Sequence, residues 1–314
     1  MTASVLVTGG AGFIGANLVR RLESDGAVGR VRVLDDLSTG RPANLAGTSA
    51  DLVEGSIVDP AVVDRVAADA DAIVHLAARP SVPRSLVEPV ASHTANATGT
   101  INVLEASRAA RGGPVPVVVA SSSSVYGANP TLPKHEDLAP APLSPYAASK
   151  LAAESEALAW QAAFGVPVLA LRFFNVYGPL QAADHDYAAV VPRFVDAALA
   201  GRPVTVHGDG RQTRDFTFVD SVTEVLARAA LGPVTAAKPV NLAFGTRTDL
   251  LSVLELIEAA LGRTVEREHV ESRPADVRHS QADGAALRHL FPDLDPVGLE
   301  VGIGRTIDWM RSIR

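Results

Sequence analysis

With 314 residues, 47% of them apolar and 20% charged, the chain can bury one large core or two smaller ones. Its net charge of −7 at pH 7 argues against a general nucleic-acid or anionic-membrane surface, so an anionic ligand would need a local cationic pocket. Cysteine is absent, which excludes disulfides and thiol catalysis. No apolar run reaches membrane-spanning length, and the N-terminus enters a strand pattern without a secretory leader, so a soluble cytoplasmic protein is expected. The eight histidines show no metal-ligand spacing, and no metal is expected.

The apolar run Val5-Leu6-Val7 leads directly into Gly9-Gly10-Ala11-Gly12-Phe13-Ile14-Gly15, and a helical pattern continues to about residue 24. Strand, tight turn and helix in this order describe a dinucleotide-binding loop. Gly9, Gly12 and Gly15 allow the turn, close approach to a pyrophosphate, and packing of helix on strand. The N–H groups opening the helix, with Phe13 and Ile14, would meet the phosphates. Asp35 lies 20 residues beyond Gly15, at the end of the strand pattern Val31–Leu34. A carboxylate there accepts from both ribose hydroxyls and repels a 2′-phosphate, and Asp36 strengthens that charge, so NAD is expected rather than NADP. Arg32 and Arg41 are the nearby residues that would argue otherwise.

Further strand patterns occur at 51–54, 72–76, 115–120 and 166–173, with helical patterns near 60–69, 84–110 and 146–164. The alternation predicts an α/β fold with a doubly wound parallel (Rossmann) sheet. After Asn175 the pattern becomes irregular and rich in Gly and Pro. The expected organisation is an NAD-binding domain over 1–175 and a smaller C-terminal substrate-binding domain over 176–314, with segments near 215–245 returning to the first.

Tyr146-Ala147-Ala148-Ser149-Lys150 places a tyrosine and a lysine on one helix face. An unperturbed phenol is a poor base at neutral pH, and an adjacent ammonium is expected to lower its pKa. Lysine occurs only at 134, 150 and 238, which singles out Lys150. Ser122, within the run Ser121–Ser124, could hydrogen-bond the substrate oxygen whose proton moves. Tyr-x-x-x-Lys alone arises by chance on surface helices, and a serine run can be a polar strand end. The preceding dinucleotide loop is what gives both their weight.

Taken together, these motifs resemble the extended short-chain dehydrogenase/reductase family, and within it the nucleotide-sugar 4-epimerases. Gly9–Gly15, His75-Leu76-Ala77-Ala78, Ser121–Gly127 and Ser144–Lys150 carry the resemblance, with Arg172–Pro179, Thr213–Phe216 and Arg273–Arg278. It implies Ser122, Tyr146 and Lys150 as the catalytic residues. On the cofactor side it adds Ile57, Val58, Asp59, Leu76, Ala77, Ala78 and Asn96; Asp59 could equally be a helix N-cap before Pro60. His75 reads as a structural histidine.

For a UDP-sugar, the resemblance implies Asn175, Arg214 and Arg273 at the diphosphate and Asp276 at the uridine ribose. Ser123, Ser124, Ala189 and Val190 would also touch substrate. Dehydrating relatives carry Asp-Glu where this chain has Ser123-Ser124, and decarboxylating relatives usually carry a glutamate, so epimerisation is expected. The small Ser280 leaves room for an N-acetyl group or a C6 carboxylate. Arg84 and Arg193 could meet that carboxylate, favouring UDP-glucuronate, a substrate suited to glycolipid antibiotic synthesis. UDP-N-acetylglucosamine and UDP-glucose are the alternatives; a non-enzymatic dinucleotide sensor is a remote one. A homodimer through the helices near 84–110 and 146–164 is expected.

Overall fold

A computed structural model of the protein describes residues 2–184, 188–232, 234–271 and 278–314. Its first half alternates β1 (Ala3–Thr8), α1 (Phe13–Glu23), β2 (Val28–Asp35), β3 (Asp51–Glu54), α2 (Pro60–Ala67) and β4 (Ala72–His75). There follow α3 (Val82–Val87), α4 (Pro89–His93), α5 (Gly99–Arg108), β5 (Val117–Ser122), α6 (Pro145–Phe164) and β6 (Val168–Phe173). The second half holds β7 (Val176–Tyr177), α7 (Val190–Leu199), β8 (Val204–His207), β9 (Thr213–Arg214), β10 (Thr217–Phe218) and α8 (Val219–Leu231). It ends with β11 (Val240–Leu242), β12 (Thr248–Asp249), α9 (Leu250–Leu261), β13 (Arg267–Val270), α10 (Ala285–Leu290) and α11 (Leu299–Ser312).

Seven strands form one parallel sheet in the order β11-β6-β5-β4-β1-β2-β3. Its central strands are buried on both faces and rich in Val, Leu and Ile, as a sheet covered by helices on each side requires. One face packs Leu18, Val19 and Leu22 of α1 with Val222, Val225 and Leu226 of α8. The other packs Val63 and Val66 of α2, Val103 and Leu104 of α5, and Ala157 of α6. A separate core joins Phe194 and Val195 of α7, Val253, Leu254 and Ile257 of α9, and Ile303 and Ile307 of α11.

The helix expected over 84–110 is broken. Pro89 lacks an N–H, and Glu88 before it adopts φ −125°, ψ 61°, outside the helical region. A π-helical turn, Thr94–Thr98, then leads into α5. The strand order reverses between β1 and β4, and there a doubly wound sheet opens a crevice at its carboxyl edge.

Candidate active site

The crevice holds a cavity of about 460 Å³ lined by Gly9, Gly12, Phe13, Ile14, Gly15, Asp35, Asp36, Ile57 and Leu76–Ala78. Gly9 takes φ 72°, a conformation that costs a glycine little. A Cβ on Gly15 would lie 2.2 Å from the Gly9 carbonyl oxygen, so loop and helix touch backbone to backbone. No side chain caps α1, leaving its first N–H groups for a ligand. Asp35 accepts the N–H groups of Ala11 and Leu37, both at 2.9 Å. Burial raises its pKa, against the pull of those two bonds. Asp36 accepts the backbone and hydroxyl protons of Ser38, at 3.0 and 2.6 Å. Across the switch point the Thr8 hydroxyl meets His75 Nδ1 at 2.8 Å and accepts from the Ala77 N–H at 3.2 Å.

These residues fit NAD. A pyrophosphate needs the bare backbone that Gly15 preserves, and a ribose diol needs an acceptor such as Asp35. Arg32 is engaged by Asp51 and the Val66 carbonyl, and Arg41 by Asp184, so both arginines are committed elsewhere. Three expected cofactor residues do not line this cavity. Asp59 caps α2, accepting from the Ala61 and Val62 N–H groups, and the adjacent Val58 is 37% exposed. Asn96 is buried in the π-turn, where it bonds both backbone groups of Arg79 and the Ser149 hydroxyl. Ser38, Thr39, Ser56, Arg79 and Pro80 line the cavity and were not anticipated; 38–39 and 79–80 simply continue the Asp35-Asp36 and Leu76–Ala78 segments.

Ser122, Ser123, Tyr146 and Lys150 line the same cavity. Ser122 ends β5, and Tyr146 and Lys150 lie on the first turns of α6, which Ser144 caps at 3.1 Å and Pro145 begins. Lys150 is only 6% exposed. Burial lowers its pKa to about 8, and the Glu154 carboxylate pulls it upward. Tyr146 departs from expectation. Burial pushes its phenol pKa up, and the opposing pull comes from a hydrogen bond with Ser122. Desolvating a phenolate outweighs that stabilisation, and Lys150 does not invert the balance. His75 is buried between the Thr8 and Thr100 hydroxyls, its pKa lowered to about 3 by burial and by Lys150, so it is neutral. Ser124 lines neither cavity; its hydroxyl donates to that of Ser122 at 2.9 Å.

A second cavity, about 260 Å³, shares Asn175 and Val176 with the first. Ala189, Val190, Arg193 and Arg214 line it, as do Thr205, His207, Gln212, Phe216 and Leu250. The Asn175 amide donates to the Asp215 carbonyl at 3.0 Å, and Arg214 donates to the Thr213 carbonyl at 2.9 Å. Ser280 lines neither cavity; its N–H donates to the Thr213 carbonyl at 3.0 Å. Arg84 sits on α3 and lines neither cavity. Arg273 and Asp276 lie outside the described residues. Among the described residues no cluster able to hold a metal ion occurs.

Residues 5–243 match the model of the NAD dependent epimerase/dehydratase family. The chain belongs to that family. It is similar to a UDP-glucose 4-epimerase of Mycolicibacterium smegmatis, 38% identical over 98% of each chain. Among solved structures it is similar to the UDP-N-acetylglucosamine 4-epimerase of Methanobrevibacter ruminantium in complex with UDP-N-acetylmuramic acid. The TM-score is 0.93 at 32% identity, covering 100% of this chain and 99% of the other. A UDP-glucuronic acid 4-epimerase from Bacillus cereus, in complex with UDP-glucuronic acid and NAD, gives a TM-score of 0.89 at 29% identity. That match covers 99% and 100% of the two chains. The protein is an NAD-dependent enzyme of this extended short-chain dehydrogenase/reductase type.

Proposed function

We propose that this enzyme inverts C4 of a UDP-hexose through a transient 4-keto sugar. The observation that carries the reading is that Ser122, Tyr146 and Lys150 share a cavity with the glycine loop, and that this cavity meets, at Asn175 and Val176, one holding Arg193 and Arg214. Bound NAD supplies a reversible hydride acceptor. Tyr146, as phenolate, takes the proton from the sugar 4-hydroxyl, and Ser122 hydrogen-bonds that oxygen. Lys150 supplies the positive charge that favours the phenolate once substrate and cofactor close the site. Arg214 and Asn175 hold the diphosphate, the arginine fork matching its oxygens, while the sugar turns between faces. Ser123 at the wall and Ser124 behind Ser122 offer no group suited to acid–base elimination of water.

The sugar best suited to the inner wall is neutral, glucose or N-acetylglucosamine. Among the described residues, the cations lining the first cavity are Lys150 and Arg79, the latter paired with Glu88 at 3.0 Å. UDP-glucuronate is the second reading, carried by Arg193 in the outer cavity. Each UDP-sugar incubated with catalytic NAD, and followed by proton NMR, discriminates them by the appearance of an epimeric 4-hydroxyl. Tyr146→Phe is expected to keep NAD and UDP-sugar binding and to lose turnover by about 10²–10⁴-fold. Unchanged turnover would remove Tyr146 as the base. A homodimer belongs to the same proposal: Leu86, Val87 and Val90 are exposed on α3 and α4, which pack against α6. Sedimentation velocity checks it.

A further inference from the structure

We propose that Glu154 is a positioning residue for the catalytic trio, keeping Lys150 cationic and tying the Ser122 strand to the Tyr146 helix. The proposal rests on the catalytic roles assigned above. Glu154 lies one helical turn beyond Lys150, so both side chains emerge on one face of α6. Its carboxylate accepts the Ser121 hydroxyl at 2.7 Å and two guanidinium N–H groups of Arg172, at 2.9 and 2.6 Å. Both ion-pair side chains are nearly inaccessible, at 3% for Arg172 and 4% for Glu154. Ser121 pairs with Arg172 in the β5–β6 register, directly before Ser122 with Phe173. The Arg172 guanidinium stacks 4.6 Å from the Tyr126 ring centre, and the Tyr126 hydroxyl donates to Asn241 of β11 at 2.7 Å. One carboxylate therefore fixes the helix bearing Tyr146 and Lys150 against the strand end bearing Ser122.

A buried ion pair is weak evidence for stability, since apolar residues of the same shape serve as well. Retaining these charges here has a use because Lys150 is buried beside them. The groups facing Lys150 are Glu154 and Tyr146 from its own helix, neutral His75 from β4, serines from β5, and Arg172 of β6 behind Glu154. The carboxylate in this set is the one that offsets the desolvation of the ammonium.

The chain has three lysines, so protein grown with ¹³C-lysine gives three sets of side-chain signals, assigned with Lys134→Arg and Lys238→Arg. A pH titration of the purified protein follows Lys150 without any substrate. Glu154→Gln is expected to move the Lys150 midpoint down by about 1 unit or more, and Arg172→Met to move it up. Because Glu154→Gln leaves Arg172 buried and unpaired, the double variant Glu154→Gln/Arg172→Met provides a folded alternative, with its midpoint still below that of the unaltered protein. An unmoved Lys150 midpoint in either folded variant carrying Glu154→Gln overturns the proposal, as does a shift of the same sign in Arg172→Met. The alkaline limb of turnover should follow the titration. If no UDP-sugar is converted by the unaltered enzyme, the function reading fails while the titration remains decisive for Glu154.

Discussion

The Ser124 hydroxyl donates to the Ser122 hydroxyl across 2.9 Å, and the Ser124 N–H reaches the same oxygen at 3.2 Å. Two donors aimed at one oxygen leave the Ser122 proton free to be given away, toward Tyr146 or a substrate oxygen. Ser124 thus orients the serine proposed to act on the substrate oxygen. Ser124→Ala is expected to lower kcat about 5-fold, the value of one neutral hydrogen bond, with NAD affinity unchanged. Steady-state kinetics beside Ser122→Ala, which should cost far more, checks this.

Gly15 has no room for a side chain. Its Cβ would lie 2.2 Å from the Gly9 carbonyl oxygen and 2.6 Å from the Gly10 Cα, both backbone atoms that cannot swing aside. Gly15→Ala should displace the loop and weaken NAD binding by tenfold or more. Fluorescence titration with NADH measures it, and undiminished affinity would mean that the loop relaxes without cost.

His75 predicts how stability depends on pH. Its pKa falls from 6.5 to about 3 on folding, so between those values the unfolded chain binds the extra proton. Stability from this group is complete above pH 6.5 and is lost as pH falls toward 3, with a slope approaching about 1.4 kcal/mol per unit. Urea melts from pH 7 to 4 should show a shallower decline in His75→Gln than in the unaltered chain.

Lys150 acts with the same sign in a higher pH window. Its pKa is lowered from 10.5 to about 8, so below pH 8 the folded protein bears the cost of a buried ammonium. Between 8 and 10.5 the unfolded chain holds the proton, and this contribution becomes more favourable as pH rises. Lys150→Met should flatten that part of the stability profile, read by thermal melts over pH 8–10.

Arg214 lines the outer cavity, apart from the Ser122, Tyr146 and Lys150 of the proposed mechanism. Arg214→Ala is expected to raise KM for a UDP-sugar by about 10–100-fold through loss of charge-assisted bonds to the diphosphate, leaving NAD affinity intact. An unchanged KM would move the diphosphate elsewhere.

What could be read in the sequence was local and periodic. Alternating strand and helix patterns announced the parallel sheet, and the 9–15 loop, Asp35 and the Tyr146–Lys150 pair each fit within a short window whose chemistry is tied to its spacing. The break at Glu88-Pro89 was legible too, since proline forbids the helical bond, yet the alanine-rich stretch around it masked the signal. Other features depended on contacts distant in sequence. For Asp59 the spacing left a cap and a ligand contact equally open; its carboxylate accepts the N–H groups of Ala61 and Val62 from across the turn. The raised pKa of Tyr146 reflects burial, which spacing does not encode. The outer cavity draws on residues from 175 to 250 in separate short segments, so Thr205, His207, Gln212 and Phe216 carried no motif.

The path of the chain through β11 also bears on how such an enzyme could be recombined. Residues 240–242 close the edge of the main sheet beside β6, and α8 covers α1, although both come after most of the segments that line the outer cavity, with Leu250 following them. A polypeptide ending at residue 175 would expose β6 as an open edge and uncover an apolar face of the sheet. Exchanging the C-terminal part with that of another protein by one crossover would therefore strip the half that carries the glycine loop of its own wall. Grafts into this scaffold need to replace loops between retained elements.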